Sequence, residues 1–417
     1  MTTPGINLIG HMSTNLGLGV AARNTAQLLS ESPVAFCAVD VQTAAFPANR
    51  AREWESSYWD GRGAAPYSVN LFHINPPEIR AELRLRPPWI ETQGRLNASV
   101  PFWELSRLPD DWIEYIEAMD IVLAPTRFVG EVVKQSVANA TIMHFPQTVY
   151  LPLGVKANRV RWGLSEDSVV FVSSFDINSD PARKNPWGTI EAFVGAGKDL
   201  PANARLIVKV NNPSTRMGRT HAEQLKRAAA VDGRISLMEE SLSYADVLSL
   251  YASADVFVSL HRSEGLGLGL LESMMLGTPV IATGYSGNMD FTTQENSRLV
   301  DYEMVSASTD DPRSSYTARR MGADQMWAEP RVEQASQFVV ELAEKPEELA
   351  RLSQAARASA LATQIDPART ALPATLVDLS QRDLSGSTPF PQFGIGEVAW
   401  RRAQRMAGRA MKATGLR

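Results

Sequence analysis

Two glutamates with a run of glycines between them are the residues in this chain with the most chemical content. In the stretch Ser259–Phe291, Glu264 opens a loop in which Gly265, Gly267 and Gly269 alternate with leucines, and Glu272 follows eight positions after Glu264. Glycines there let the backbone approach a ligand with no Cβ in the way. A helix starting near Leu270 aims free N–H groups into the same loop, which suits an anion. One carboxylate then sits on the loop and the other in the first turn of the helix, so the two address different parts of one ligand. A second group of charges lies upstream. Arg183 and Lys184 stand in the loop INSDPARKNP, ahead of the helix WGTIEAFVGAG, where the macrodipole already favours an anion. Two added cations can seat a diphosphate. A solvated Arg–Lys pair beside an ordinary strand–helix–strand unit fits the same residues.

A second glycine loop opens the chain. The apolar run Ile6–Gly10 leads through His11–Asn15 into LGLGVAARNTAQLLSE, which has helical periodicity, so Gly17 and Gly19 sit where a first strand hands over to a first helix. This is another candidate anion loop. It lacks the third glycine of a dinucleotide fingerprint, because Ala22 stands in that place, and a hydride cofactor is poorly supported. His11 reads as structural. Further strands are expected over VAFCAVDV, YSVNLFHI and Ala98–Phe102, and the last two run into INPPE and FWELSRLPDDW. In an open parallel sheet the residues just past the strand C-termini face the ligand crevice. His73, Asn75, Trp103 and Glu104 are thus placed to meet a substrate, and each also has an ordinary reading as a cap or turn residue.

The elements that must hold these groups alternate strand with helix throughout, the pattern of an α/β protein. A chain of 417 residues with 44% hydrophobic and 21% charged residues is long enough for two or three domains of ordinary globular composition. The formal net charge of −5 gives no overall basic footprint for nucleic acid. Cys37 is the only cysteine, which rules out an intrachain disulfide and points to a reducing, cytoplasmic setting. No leader pattern and no apolar run of about 20 residues is present. Tyr150–Val155, with Pro152 and Gly154, reads as the connection between two halves. Beyond Asn296 the pattern weakens: Met304–Gln325 reads as a polar loop, and PRVEQASQFVVELAEKPEELARLSQAARASALA as two amphipathic helices. From Glu397 onward the chain holds Arg401, Arg402, Arg405, Arg409, Lys412 and Arg417 against one acid. Such a basic helical end can touch an anionic membrane surface, pack on the protein or fray.

The arrangement E-x7-E around GLGLGLLE, followed by MLGTPVIAT, closely resembles the signature of family-4 retaining glycosyltransferases of the bacterial group 1 type, which have the GT-B fold. FDINSDPARKNPWGTIEAF, SLSYADVLSLYASADVFVSLHRSEGLGLGLLESM, PLGV, WELSRLPDDW, TGYSGNMDF and MWAEP extend the resemblance over most of the chain. It implies two Rossmann-like domains facing a central crevice, the C-terminal helix crossing back to the first. The expected division is an acceptor domain over residues 1–152, a sugar-nucleotide donor domain over 153–380 and a basic extension over 381–417. The implied reaction moves a hexose-type sugar from a nucleoside-diphosphate donor to a glycan or lipid-linked acceptor in bacterial surface polysaccharide synthesis. It proceeds with retention, with no cofactor and no metal ion; the expected setting is cytoplasmic, and peripheral contact through the basic C-terminal helix would put it at the inner face of the membrane. Glu272 would hold the ribose hydroxyls and Glu264 would face the donor sugar. Gly265, Leu266 and Gly267 would offer backbone N–H groups, while Arg183, Lys184 and the Gly17–Gly19 loop would support the diphosphate. Catalytic weight falls on Glu264, Lys184 and Glu104, and His73, Asn75, Trp103 and Glu104 are the acceptor-side candidates. Two departures stand out. Relatives often carry an arginine just after the first strand of the second domain, where this chain has Ser173, Ser174, Phe175 and Asp176; they often carry an acceptor-side histidine where it has Trp103 and Glu104. A sugar-nucleotide epimerase of the same fold, or a non-catalytic nucleotide-sugar binder in a synthesis complex, are the alternatives.

Overall fold

The computed structural model describes residues 2–14, 16–41, 59, 63–79, 91–213, 216–307, 311, 313–314, 316, 325–367 and 369–382. The basic segment after Glu397 lies outside them.

The first half builds a parallel sheet from β1 (Thr3–Gly10), β2 (Phe36–Asp40), β3 (Tyr67–His73), β4 (Leu96–Ser99), β5 (Ile121–Ala124) and β6 (Ile142–His144), with helices α1 (Gly17–Ser30), α2 (Asp110–Glu117) and α3 (Arg127–Ser136) between them. The spatial order is β2-β1-β3-β4-β5-β6, every neighbour parallel. Strands β1 to β5 are largely buried, as parallel strands covered by helices must be, while the edge strand β6 stays partly exposed. Strand β4 ends at Ser99, so Phe102, Trp103 and Glu104 lie beyond the sheet and not within a strand reaching Phe102.

One polar feature crosses this core. Asn7, Asn70 and Asn97 occupy matching register positions on β1, β3 and β4 and are all buried. Asn7 Nδ2 donates to Asn70 Oδ1 at 3.0 Å, Asn70 Nδ2 donates to Asn97 Oδ1 at 3.0 Å, and Asn70 Nδ2 also reaches the Glu91 carbonyl at 2.9 Å. A buried amide ladder of this kind fixes strand register, because a one-residue slip would orphan every member. Asn70→Leu is expected to lower the unfolding free energy by about 2–4 kcal/mol, since it strands the Asn97 oxygen inside the sheet and takes the donor from the Glu91 carbonyl at its edge. Urea unfolding of the variant checks this.

The second half repeats the plan with β7 (Val170–Asp176), β8 (Arg205–Asn211), β9 (Ile235–Met238), β10 (Val256–Ser259), β11 (Val280–Thr283) and β12 (Arg298–Val300). Its helices are α4 (Pro181–Lys184), α5 (Pro186–Ala196), α6 (Arg216–Ala229), α7 (Tyr244–Ser253) and α8 (Leu268–Met275). The order β12-β11-β10-β7-β8-β9 is again wholly parallel. Two switch points result, between β1 and β3 in the first sheet and between β7 and β10 in the second. At such points the connections leave in opposite directions and open a crevice at the strand C-termini. His73 closes β3 at this edge, and the connections after β1, β7 and β10 carry His11 with the start of α1 at Gly17 and Gly19, Arg183 with Lys184, and Glu264.

The segment expected as a polar loop over Met304–Gln325 is partly strand. β13 (Tyr302–Ser306) pairs antiparallel with β14 (Met326–Pro330), which contains the MWAEP motif. The pairing partner lies some twenty residues away, so neither half shows a local signal. This hairpin docks on the first domain: Met326 N donates to Ser106 Oγ at 2.9 Å, and Gln325 exchanges bonds of 2.9 and 3.1 Å with the Arg107 backbone. The two helices expected after it are α9 (Val332–Glu344), packed on α5, and α10 (Pro346–Ala362), packed on α8. A further helix, α11 (Leu372–Ser380), crosses back onto β1, β3 and β4, and Ser380 Oγ lies 2.7 Å from Ser68 Oγ. The return to the first domain that the resemblance implied is made by this element. Among the described residues no helix is long and apolar enough to cross a membrane.

Candidate active site

The loop after β7 is shaped by its own sequence. Asp180, at φ 60°, caps α4 by accepting from Arg183 N at 2.8 Å, and Pro181 fills the first helical position. Asn185 then turns the chain in the left-handed region, φ 48°, caps α5 through Gly188 N at 3.2 Å, and donates to the Leu260 carbonyl at 2.9 Å. The last bond ties this loop to the end of β10 across the switch point.

Arg183 and Lys184 thereby meet Glu264. Lys184 Nζ lies 2.5 Å from Glu264 Oε1, and Arg183 Nη1 lies 3.1 Å from Oε2. Burial opposes ionisation of Glu264, but Lys184 first and Arg183 second more than offset it, and the pKa is held down at about 2. Arg183 is almost wholly buried. Its Nη1 also donates to the Ser263 carbonyl at 2.8 Å, while Nη2 donates to the Ser179 carbonyl at 2.9 Å and lies 3.5 Å from Glu104 Oε1. Lys184 keeps 21% of its side chain exposed, so it is the cation of the pair that an incoming anion can reach.

The Glu264 backbone is pinned as well, its N–H donating to Ser286 Oγ at 2.8 Å and its carbonyl accepting from Gly287 N at 2.9 Å. A Cβ on Gly287 would sit 2.4 Å from the Gly265 carbonyl oxygen, and one on Gly265 would sit 3.1 Å from that of Trp103. Only glycines allow the three loops to lie this close. Gly267, at φ 85°, is the N-cap of α8, and no side chain caps that helix. The helix begins at Leu268, two residues before the expected start, so Glu272 falls in its second turn and not its first.

Glu272 is buried at 4% exposure and accepts from the Tyr244 hydroxyl at 2.7 Å through Oε1. Among the described residues no cation pairs with it, and burial pushes its pKa up to about 8. The two carboxylates of the motif are thus in opposite electrostatic states, one held ionised by cations and the other kept near neutrality by desolvation.

In the first domain, Gly19 is wedged against the loop after β1, a Cβ there falling 2.3 Å from the Thr14 carbonyl oxygen, while Gly17 faces open space. Arg23, one turn on, reaches the Met12 and Thr14 carbonyls at 3.1 and 2.5 Å. His73 is fully buried, with Nε2 3.4 Å from Gln147 Oε1 and no partner for Nδ1 among the described residues. Burial lowers its pKa to about 4, so the ring is a neutral donor–acceptor. Asn75 is turned to scaffolding: its Oδ1 accepts from Phe102 N at 2.9 Å. Trp103 is buried between Trp112 and Tyr316, with Nε1 donating to the Arg107 carbonyl at 2.7 Å. Glu104 crosses to Arg183 and accepts from the Tyr316 hydroxyl at 3.3 Å. The structure therefore brings Glu264, Arg183, Lys184 and Glu104 into one cluster, with Glu272 two turns of chain away and His73 on the facing sheet.

Residues 168–311 match the family model described as glycosyl transferases group 1. The chain carries a group 1 glycosyl transferase domain. No curated protein matches the chain. Among solved structures, the sucrose-phosphate synthase of Thermosynechococcus elongatus is similar at 13% identity and a TM-score of 0.62, over 92% of this chain and 100% of that one. A glycosyltransferase from Rickettsia africae is similar at 11% identity and TM-score 0.60, over 91% and 98%. Anabaena HepE, solved in complex with UDP and glucose, is similar at 13% identity and TM-score 0.56, over 92% and 100%. Against S. aureus TarM the identity is 10% and the TM-score 0.50, and the match covers 75% of this chain and about half of that one, 55%. These likenesses establish the GT-B architecture of the transferase: two parallel α/β domains of six strands each.

Several residues around the candidate site gave no signal in sequence. Tyr244 meets Glu272 from α7, Thr126 Oγ1 donates to the Gly265 carbonyl at 2.9 Å, and Asp290 accepts from His144 Nε2 at 3.2 Å across the crevice. Each is a contact between elements far apart in the chain, invisible to spacing or periodicity.

Proposed function

We propose that the protein transfers a hexose-type sugar from a nucleoside-diphosphate donor, with retained anomeric configuration, to a glycan or lipid-linked acceptor of bacterial surface polysaccharide synthesis. The observation that carries the reading is the pairing of Glu264 with Lys184 and Arg183 at the switch point of the second sheet, next to the buried Glu272. When the bond from the anomeric carbon to phosphate breaks, positive charge grows on the sugar and negative charge on the departing diphosphate. Fixed groups of opposite sign should meet both. Glu264, kept ionised, faces the sugar; Lys184 and the uncapped N–H groups of α8 face the diphosphate. Arg183, spent on Ser263, Glu264, Ser179 and Glu104, supports Glu264 from behind. Glu272 accepts from the ribose hydroxyls, and His73 lies on the acceptor side. The acceptor oxygen bonds to the anomeric carbon on the face that the phosphate leaves, and its proton ends on the departing diphosphate. This scheme calls on no metal ion. HepE, of the same fold, is complexed with UDP and glucose, in keeping with a nucleotide-sugar donor.

Thermal shifts with UDP, GDP, ADP and their sugars test the reading. A ligand that binds only the folded state raises stability by mass action, about 2.7 kcal/mol at a hundred times its dissociation constant. One base class should stabilise the protein, and its sugar nucleotide should be turned over. Stabilisation by none of them would sink the proposal.

A further inference from the structure

The acceptor domain does more than face the donor across a gap: it holds the donor loop in place at the two residues that flank Glu264. Ser263 Oγ donates to the Glu104 carbonyl. The Gly265 carbonyl accepts from Thr126 Oγ1 at 2.9 Å, and the absent side chain of Gly265 admits the Trp103 backbone. Between these two anchors stands Glu264. Its carboxylate shares one guanidinium with Glu104, since the Arg183 fork puts Nη1 on Glu264 Oε2 at 3.1 Å and Nη2 beside Glu104 Oε1 at 3.5 Å. The second Glu104 oxygen takes the Tyr316 hydroxyl at 3.3 Å. Both oxygens of Glu104 are therefore spent on groups that are not substrate, and Arg183 is 3% exposed and cannot turn to another partner.

Building on the transferase reading, we propose that Glu104 is a positioning residue: it reaches across the crevice to fix Arg183, and through it the Glu264 carboxylate, so that the reactive arrangement is complete only when the two domains are closed. The fork is planar and rigid, so holding one arm sets the angle of the other. In an open form Glu104 leaves with the first domain, Arg183 loses a counter-charge and its Nη2 arm keeps only the Ser179 carbonyl, and the Glu264 carboxylate is held at a shifted angle by Lys184 and the relaxed guanidinium. Nucleotide binding, which involves Lys184 and Glu272 on the second domain alone, does not depend on this link. The inference distinguishes Glu104 from an acceptor-side base, which would touch substrate directly.

The test compares wild type, Glu104→Ala, Glu104→Gln, Glu264→Gln and the double variant Glu104→Ala with Glu264→Gln. Each is assayed for release of nucleoside diphosphate from UDP-glucose, UDP-galactose, UDP-N-acetylglucosamine, GDP-mannose and ADP-glucose, and for affinity toward UDP, GDP and ADP. Glu104→Ala should lower kcat by about 10²-fold, the cost of a reacting group displaced by roughly 1 Å, with nucleoside-diphosphate affinity within about threefold of wild type. Glu104→Gln, which keeps an acceptor for Arg183, should lose less; it also carries the comparison if the alanine variant does not fold. Added to Glu264→Gln, the Glu104 change should cost no more, because the group it positions is already altered. Independent, multiplicative losses would make Glu104 a group acting directly on substrate and overturn the proposal. So would an unchanged kcat, or a nucleotide affinity that falls in step with kcat. A wild type that turns over no donor and binds no nucleoside diphosphate removes the transferase reading and this inference with it, whereas a working wild type with an indifferent Glu104 removes the inference alone.

Discussion

Glu264→Gln is expected to slow donor turnover by about 10²–10³-fold, the usual effect of removing one electrostatic contact to the transition state, while nucleoside-diphosphate affinity holds or tightens. The direction of the second effect follows from charge. In the unliganded protein Lys184 is neutralised by Glu264 at 2.5 Å; once the carboxylate becomes an amide, the amine is left to the diphosphate alone. The same change leaves Arg183 buried with one fewer counter-charge, so the free enzyme should lose a few kcal/mol, as broken buried pairs do, on the order of 3. Nucleotide should then restore more stability to the variant than to wild type. The depressed pKa of Glu264, about 2 against an ordinary 4.5, has its own signature. The stabilisation it provides is full above the unfolded value and is lost as pH falls from there through the folded pKa. Glu264→Gln should show no such acid-side loss. Thermal melts with and without UDP, GDP or ADP, alongside initial rates, report all of these.

Glu272→Gln should act in the opposite sense on the free protein. Burial raises the folded pKa of Glu272 to about 8 from an ordinary 4.5, so ionising it costs the folded chain and not the unfolded one. Its contribution is full below the unfolded value and is lost as pH rises through the folded one. The amide has no charge to acquire. The variant is therefore expected to match wild type at about pH 5 and to exceed it by a few kcal/mol, on the order of 3, at about pH 8.5. Binding runs the other way. Ribose hydroxyls donate best to an ionised carboxylate, so wild-type nucleotide affinity should tighten as pH rises toward about 8, with release of a proton. Glu272→Gln should bind about tenfold more weakly and lose that slope, because an amide keeps one acceptor but not the charge. Urea unfolding and calorimetric titration with nucleoside diphosphate at both pH values provide the check. A variant that keeps both the affinity and its slope would take Glu272 off the ribose.

What the sequence showed of this site was what local chemistry decides. The DPARKN segment specifies its own turn through an aspartate cap, a first-position proline and a left-handed asparagine, and so delivers Arg183 and Lys184 where they were expected. Gly267 sets the start of α8 and with it the place of Glu272. The alternation of buried strands and helices was legible too, because parallel strands read as short apolar runs. What escaped were couplings across long stretches of chain. Tyr316 and Glu104 are separated by 212 positions, and Thr126 and Gly265 by 139; nothing in either neighbourhood announces the other. Trp103 and Asn75 show the converse. Their positions past strand ends suggested contact with substrate, yet the indole is clasped by Trp112 and Tyr316 and the amide braces Phe102. Strand topology puts a residue at the crevice rim, but packing decides which way the side chain turns.

The most direct measurement is the structure of the complex with whichever of UDP, GDP or ADP stabilises the protein most. The account predicts the ribose hydroxyls within hydrogen-bond distance of Glu272, a phosphate oxygen on Lys184 Nζ, and Glu264 facing the space beyond the outer phosphate. A nucleotide seated with its ribose away from Glu272 and its phosphates away from Lys184, for instance on the Gly17–Gly19 loop alone, would contradict it.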